Sequence, residues 1–335
     1  MIHHLFPDIH PFVISGLAAV FALILTFVAL SVFRGILPRD RGRAFASQAD
    51  KSVGKPTGAG LFFVAAILIS ALLFLPIDPL SLFLYAVVFL AMIFGFLDDR
   101  AAKPWHEYFK GLLDLLVSIS AAVVFAMYAG TEMYLPFSGS FVQLPYYIFI
   151  PLATLLVWAS INVTNCTDGV DGLASSLSIV SLLAFVVLSY LLGTIGIWTY
   201  FIPVAVCALL AYLWFNTNPS LLLMGDAGSR GLGVIIALSA LFSKSPLSYL
   251  LVCLVFIVDG GAGIVKISLK RFLKISVLKN IKTPIHDHFR DSGKEEEINS
   301  KKWKNQTVTV RFSLISIFVC SVYLLAESIF SGIFR

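Results

Sequence analysis

Ten runs of about 20 apolar residues, separated by short polar stretches, constrain this chain more than any other feature of its sequence. A run of that length matches what a helix needs to cross a hydrocarbon core of about 30 Å. Lipid offers no partner to an unpaired backbone N–H or C=O, so a spanning run closes its hydrogen bonds within itself, as a helix. The runs fall at about 12–33, 57–76, 79–97, 112–130, 145–163, 172–191, 195–215, 229–243, 245–269 and 312–331. The eighth is short and the fifth and sixth lie close together, so counts of nine and eleven also fit. Composition agrees: 59% of the 335 residues are apolar and only 13% are charged, where a soluble domain carries about 25% charge. The expected fold is an all-α integral membrane protein, one polytopic domain over 1–335 without internal repeats. The first run has no basic flank before it and exceeds a signal-peptide core, so it reads as a retained span.

Lys and Arg set the orientation. With ten spans, the loops at about 34–56, 98–111, 164–171, 216–228 and 270–311 share one face. Those loops and their flanks hold six, three, none, one (Arg230) and twelve (Lys266 to Arg311) basic residues, 22 of the chain's 24. Only Lys244 and Arg335 fall opposite. The positive-inside rule makes the basic face cytoplasmic and puts both termini outside. A net charge of +5 distributed in this way suits anionic headgroups and phosphate-bearing substrates rather than nucleic acid. The four cysteines form no CxxC pair and lie in or beside the spans, as small apolar fillers do.

Carboxylates at membrane depth are expensive, which makes each of them a functional candidate. Here they gather at the cytoplasmic ends of the runs. Asp98 and Asp99 close the third, in Gly95-Phe-Leu-Asp-Asp-Arg100. Asp168 and Asp171 follow the fifth, in Asn165-Cys-Thr-Asp-Gly-Val-Asp-Gly-Leu173, and Asp226 stands between the seventh and eighth. His286 and His288 lie in the last basic loop. Any one of these could be a turn former or a solvated helix end; four loops converging on one face is a different matter. Paired carboxylates with a further Asp from another loop are hard-oxygen ligands, suited to Mg²⁺ with phosphate oxygens completing its shell. Gly169, Gly172, Gly225 and Gly228 let backbone N–H groups approach an anion, and Lys55, Lys103 and Lys110 can neutralise remaining phosphate charge. Such a site at a membrane face takes one substrate from the cytosol and one from the lipid, and phosphoryl transfer there needs mainly positioning and charge neutralisation.

From about Gly54 to Phe312 the chain resembles the polyprenyl-phosphate N-acetylhexosamine-1-phosphate transferase superfamily. The resemblance rests on Gly54-Lys-Pro-Thr-Gly-Ala-Gly60, the paired aspartates of Gly95–Asp99, the Asn165–Leu173 motif, and Trp214-Phe-Asn216 followed by Met224-Gly-Asp-Ala-Gly-Ser229. Pro284-Ile-His-Asp-His-Phe289 and Val308-Thr-Val-Arg-Phe312 look like the phospho-N-acetylmuramoyl-pentapeptide transferase branch, whose pattern is Pro-x-His-His-His-Phe. Three positions depart from the branch: Asp287 replaces the middle histidine, Asp259 stands where Glu is usual, and Leu223 replaces an aromatic that lies against the uracil. The resemblance implies attack of undecaprenyl phosphate on the β-phosphorus of UDP-MurNAc-pentapeptide, giving lipid I and UMP with Mg²⁺, in peptidoglycan synthesis at the bacterial cell membrane. It implies that Asp226 is the Mg²⁺ ligand, with Asp168 as a second candidate. Asp98 would deprotonate or orient the lipid phosphate with Asp99 in support. Asn165, Asp168 and Asp171 would hold the nucleotide or its metal, Asn216 the substrate, Lys55 and Lys110 phosphate, and His286 and His288 the diphosphate–sugar side. It also implies a homodimer, for which the sequence carries no interface signal.

Two other readings stand beside this one. A sugar-only relative would use UDP-GlcNAc or a similar donor. A transporter would want ionisable groups near the bilayer midplane, for which Asp259 and Lys266 are the best candidates. Within the His motif, Pro284 is expected to break any helix continuing from 266–282. An extended segment there would point both imidazoles one way and Asp287 the other.

Overall fold

The computed structural model describes residues 9–42, 52–290 and 302–330. Both chain ends, including Arg335, lie outside the described residues. So do parts 43–51 and 291–301 of the two most basic loops, with Arg43, Lys51, Lys294 and Lys301.

Each of the ten apolar runs is helical. Eight helices are long and apolar enough to cross a bilayer: α1 Pro11–Phe33, α3 Pro79–Arg100, α4 Glu107–Ala129, α5 Tyr146–Thr167, α6 Leu173–Leu191, α7 Ile197–Asn216, α8 Gly225–Phe242 and α12 Asn305–Phe330. Helix α2, Gly60–Phe74, is apolar but has only 15 residues. The ninth run is broken. α9, Pro246–Val252, and α10, Leu254–Phe272, meet at a 69° bend, and α10 contains a π-helical stretch, Ile257–Gly261. A π-bulge of this kind kinks a helix and is often found at functional sites. A short helix α11, Ile285–Phe289, carries the His motif. Between α4 and α5 the chain forms a two-stranded antiparallel hairpin, β1 Glu132–Leu135 and β2 Ser140–Gln143.

Helix α8 is the axis of the bundle. Of its most apolar 18-residue window, 94% is buried in protein, against 28–44% for α1, α3, α4, α5 and α12. Helix–helix association in lipid lacks the hydrophobic drive of water and relies on close packing of small residues. The sequence of α8, Gly-Asp-Ala-Gly-Ser-Arg-Gly-Leu-Gly-Val, is built for that. A Cβ at Gly60 would overlap the Gly228 backbone, and one at Gly233 would press on Ile161. α2, α3 and α5 therefore lie directly against α8.

Helix α8 also starts four residues earlier than its apolar pattern suggests. Gly225, with φ +72°, turns the chain into it, and a Cβ there would overlap the Asp99 carboxylate. Asp226 thus stands in the first turn of a helix rather than in a loop, and the α7–α8 connection shortens to 217–224.

Candidate active site

At the Asp226 end of α8 a cleft of about 1460 Å³ opens between α3, α4, α5 and the C-terminal part of α10. Its head is ionic. Asp98 and Asp226 both reach the Lys110 ammonium from α4, Asp98 in close contact and Asp226 at 3.4 Å. Asp226 Oδ1 accepts from Asn165 Nδ2 at 2.9 Å, and the same amide nitrogen reaches Ser229 Oγ. Arg230, one turn along α8, lies 3.3 Å from Asp226 Oδ2 and makes a close contact with Asp114 of α4. Asp98 is also oriented, by the Trp105 N–H at 2.8 Å. The rest of the cleft wall is largely apolar, with Leu112, Leu115, Ile119, Pro151, Leu155 and Trp158 descending along α4 and α5.

Asp99 has a different task from its neighbour. Its two carboxylate oxygens accept the backbone N–H groups of Asp226 at 2.9 Å and Ala227 at 3.0 Å. Those are orphan donors of a helix N-terminus, where an anion is favoured. Asp99 therefore ties α3 to the start of α8 and fixes the backbone that carries Asp226. Gly95 permits the approach, since a Cβ there would overlap the Asp226 carbonyl.

The other expected site residues form two further groups. Asp171, in the turn between α5 and α6, accepts from Asn218 Nδ2 (2.9 Å), Ser220 N (3.2 Å) and Ser220 Oγ (2.8 Å), and Lys55 donates to Ser220 Oγ at 2.9 Å. Asn216 accepts from Gly172 N and donates to the Leu222 carbonyl, both at 2.9 Å. These residues clasp the 168–172 turn to the 217–224 loop, and both ends of the Asn216 amide are engaged. Leu223 N donates to Pro56 O and Leu223 O accepts from Ala59 N, which binds that loop to the glycine-rich segment. Asn165 and Cys166 line the cleft, while Asp168, at the end of α5, is not among the lining residues.

The His motif departs from the extended segment expected of it. Pro284 starts a helix rather than ending one: it precedes Ile285–Phe289, and Asp287 N and Arg290 N bond back to Pro284 O and His286 O. A proline costs nothing at a helix start, where its missing N–H would be unpaired anyway. The turn buries His286 and Asp287 together and leaves His288 half-buried, so the two imidazoles do not share a face. His286 meets Asp259, which accounts for the acid in the ninth run, and Phe289 stacks on Trp303. Sequence reading missed Asp114, a single acid inside an apolar run, and took Arg230 for a loop cation. The four-residue spacing of Arg230 from Asp226 was the available signal.

The donor set at the head of the cleft fits a hard divalent cation. Two carboxylates from different helices already converge on one ammonium, and among the described residues no cluster of three or more His, Cys, Asp or Glu offers an all-protein cage. Mg²⁺ is commonly held by one or two carboxylates with substrate phosphates supplying the rest.

Comparison with known proteins bears on the same residues. Residues 81–244 match the model of Glycosyl transferase family 4. A phospho-N-acetylmuramoyl-pentapeptide-transferase of Treponema pallidum is 36% identical over 325 residues, covering 90% of this chain and 86% of its own. One from Clostridium botulinum is 32% identical over 284 residues (82% and 83% of the two chains), and one from Staphylococcus haemolyticus is 30% identical over 317 (89% and 95%).

Proposed function

Because the chain belongs to the phospho-N-acetylmuramoyl-pentapeptide-transferase family, and so is a phosphoglycosyl transferase of peptidoglycan synthesis, we propose that it joins undecaprenyl phosphate to the phosphosugar of UDP-MurNAc-pentapeptide. The observation that carries this reading is the composition of one cleft: an ionic head where Asp98 and Asp226 share Lys110, continuous with an apolar wall on α4 and α5. An isoprenoid phosphate needs both parts in that order.

In this reading the isoprenoid lies along Leu112, Leu115 and Ile119 while its phosphate meets Lys110. Asp98, held by the Trp105 N–H, takes the phosphate proton and orients the oxygen. That oxygen forms a bond to the β-phosphorus of the donor as the bond from the β-phosphorus to the bridging oxygen breaks. UMP leaves, and the lipid diphosphate–sugar, lipid I, remains. Lys110 and Arg230 offset the charge that gathers on the phosphates. Asp226, aimed by Asn165 and by the Asp99 cap on α8, is the residue that would hold Mg²⁺. When bound, the ion supplies charge neutralisation and alignment of the diphosphate oxygens. His288, the half-buried imidazole of the motif, takes the diphosphate–sugar side of the donor in this reading. The polar head belongs on the cytoplasmic face, where Lys and Arg concentrate.

UMP release by the purified protein in detergent or nanodiscs tests the proposal. Release should require both undecaprenyl phosphate and Mg²⁺ and should proceed with UDP-MurNAc-pentapeptide but not UDP-GlcNAc. Equal turnover of UDP-GlcNAc would reassign the donor, and release without the lipid phosphate would overturn the transfer.

A further inference from the structure

The reaction above makes no use of His286, although it is among the most tightly held ionisable groups in the protein. It is 1% exposed. Its backbone N–H donates to Asp259 Oδ1 at 2.7 Å, and its Nδ1 lies 2.8 Å from Asp259 Oδ2, so one carboxylate grips both the backbone and the ring. On the other side Nε2 lies 3.7 Å from Asp287 Oδ1, an oxygen that also accepts from Arg290 Nη2 at 2.6 Å. Arg290 sends its other terminal nitrogen, Nη1, to the Gly169 carbonyl at 2.9 Å. Asp259, Asp287 and Arg290 are all buried.

The ring edge that remains points at Gly169, where a Cβ would overlap Nε2 and crowd Cε1. Gly169 needs no unusual backbone angle, as it is absent from the positive-φ glycines. Its lack of a side chain is therefore required by the imidazole and not by the turn. Asp259 is itself fixed to α5: Gly260 packs so closely on Val163 O that a Cβ there would overlap it. The contacts form one path, from the π-helical stretch of α10 through Asp259 and the imidazole to the 168–172 turn. The far side of that turn is clasped by Asp171 and Asn216.

We propose that His286 is a positioning residue and not a substrate contact: clamped by Asp259, Asp287 and Arg290, its ring is the wedge that sets the Asp168–Gly169 turn for the nucleotide donor. A buried charge pair is often no more stabilising than an apolar filler, but it does fix geometry. Two of the three departures from the branch pattern, Asp259 and Asp287, face this ring, one on each nitrogen. The proposal rests on the phosphosugar-transfer reading for its kinetic consequence and on geometry alone for the wedge.

His286→Asn and Gly169→Ala, singly and together, test it. The asparagine side chain keeps a polar atom where Nδ1 meets Asp259 and deletes the ring edge over Gly169. Each single variant should raise the donor KM at least tenfold with a smaller change in kcat. In the His286→Asn background, adding Gly169→Ala should change KM by less than twofold, because the atom it would strike is gone. An equal Gly169→Ala penalty in both backgrounds overturns the wedge, as does wild-type KM in His286→Asn. The same cycle read as Tm shows the coupling whatever the substrate: Gly169→Ala should lower Tm in the wild-type background and leave it unchanged in His286→Asn. Coupled Tm shifts in a protein that never releases UMP would sink the transfer reading and leave the wedge standing.

Discussion

At the cleft end of the bundle, five ionisable side chains from three helices, Asp98, Lys110, Asp114, Asp226 and Arg230, crowd around a cavity large enough for a substrate. At the hairpin end Glu327 of α12, 0% exposed, accepts from the Tyr134 hydroxyl of β1 and from the Phe137 N–H. Burial, with Glu327 adding to it, pushes the Tyr134 phenol up to about 12, so at neutral pH the phenol keeps its proton and donates it to Glu327. Both ends bury acids, yet the acids at the cleft end line a cavity and share their cations, while Glu327 is taken up by Tyr134 and Phe137. The difference teaches that burial of charge alone does not mark a site. What marks it is charge whose partners are shared and partly replaceable by a ligand.

The comparison can be broken by substitution. Arg230→Met, which leaves Asp114 and Asp226 without their common guanidinium, should cost roughly 3–5 kcal/mol of stability, as removal of one partner of a buried pair does. A Tm close to wild type would show that Lys110 and water replace the guanidinium, and that the cleft end is far wetter than its geometry indicates. Asp226→Asn should fold but lose at least about 100-fold in turnover, about 2.7 kcal/mol. Turnover above about a tenth of wild type would remove Asp226 from the metal-holding role. Glu327→Gln should do the reverse, lowering stability by about 1–2 kcal/mol through a weakened acceptor while turnover per folded molecule stays unchanged. A turnover loss there would mean that the two ends are coupled. Glu107→Gln removes the exposed contact with Arg271 at the cleft mouth; an exposed pair of this kind contributes little, so Tm should not move, and a measurable fall would show the mouth to be more closed than the structure has it.

The helices were legible because a spanning run has a fixed length and cannot alternate. The convergence of acids on one face was legible for a similar reason, since each acid sits where an apolar run stops. What escaped reading depends on contacts between distant elements. Asp114 sits within an apolar run, and only the approach of α8 with Arg230 explains it. The early start of α8 depends on Gly225, which reads as a loop residue until the Asp99 carboxylate is found against it. The His motif misled because proline has two opposite meanings, breaker inside a helix and starter before one, and the choice depends on Asp259 holding His286 from another helix. Asp171 and Asn216 looked like ligands from their motifs, and in the fold their polar atoms are engaged by neighbouring loops.

The depth at which α8 is enclosed has a consequence for how the protein senses its surroundings. Helices that face lipid answer a change in bilayer thickness by tilting. Helix α8 presents almost no side chain to lipid, and its first turn is tied to α3 by Asp99. Thickness therefore reaches Asp226 through movement of whole neighbouring helices, while the carboxylate keeps its place on the Asp99-capped start of α8. Acyl chains from C14 to C20 should thus alter how readily an isoprenoid enters between α4 and α5 far more than they alter the chemistry once it has arrived.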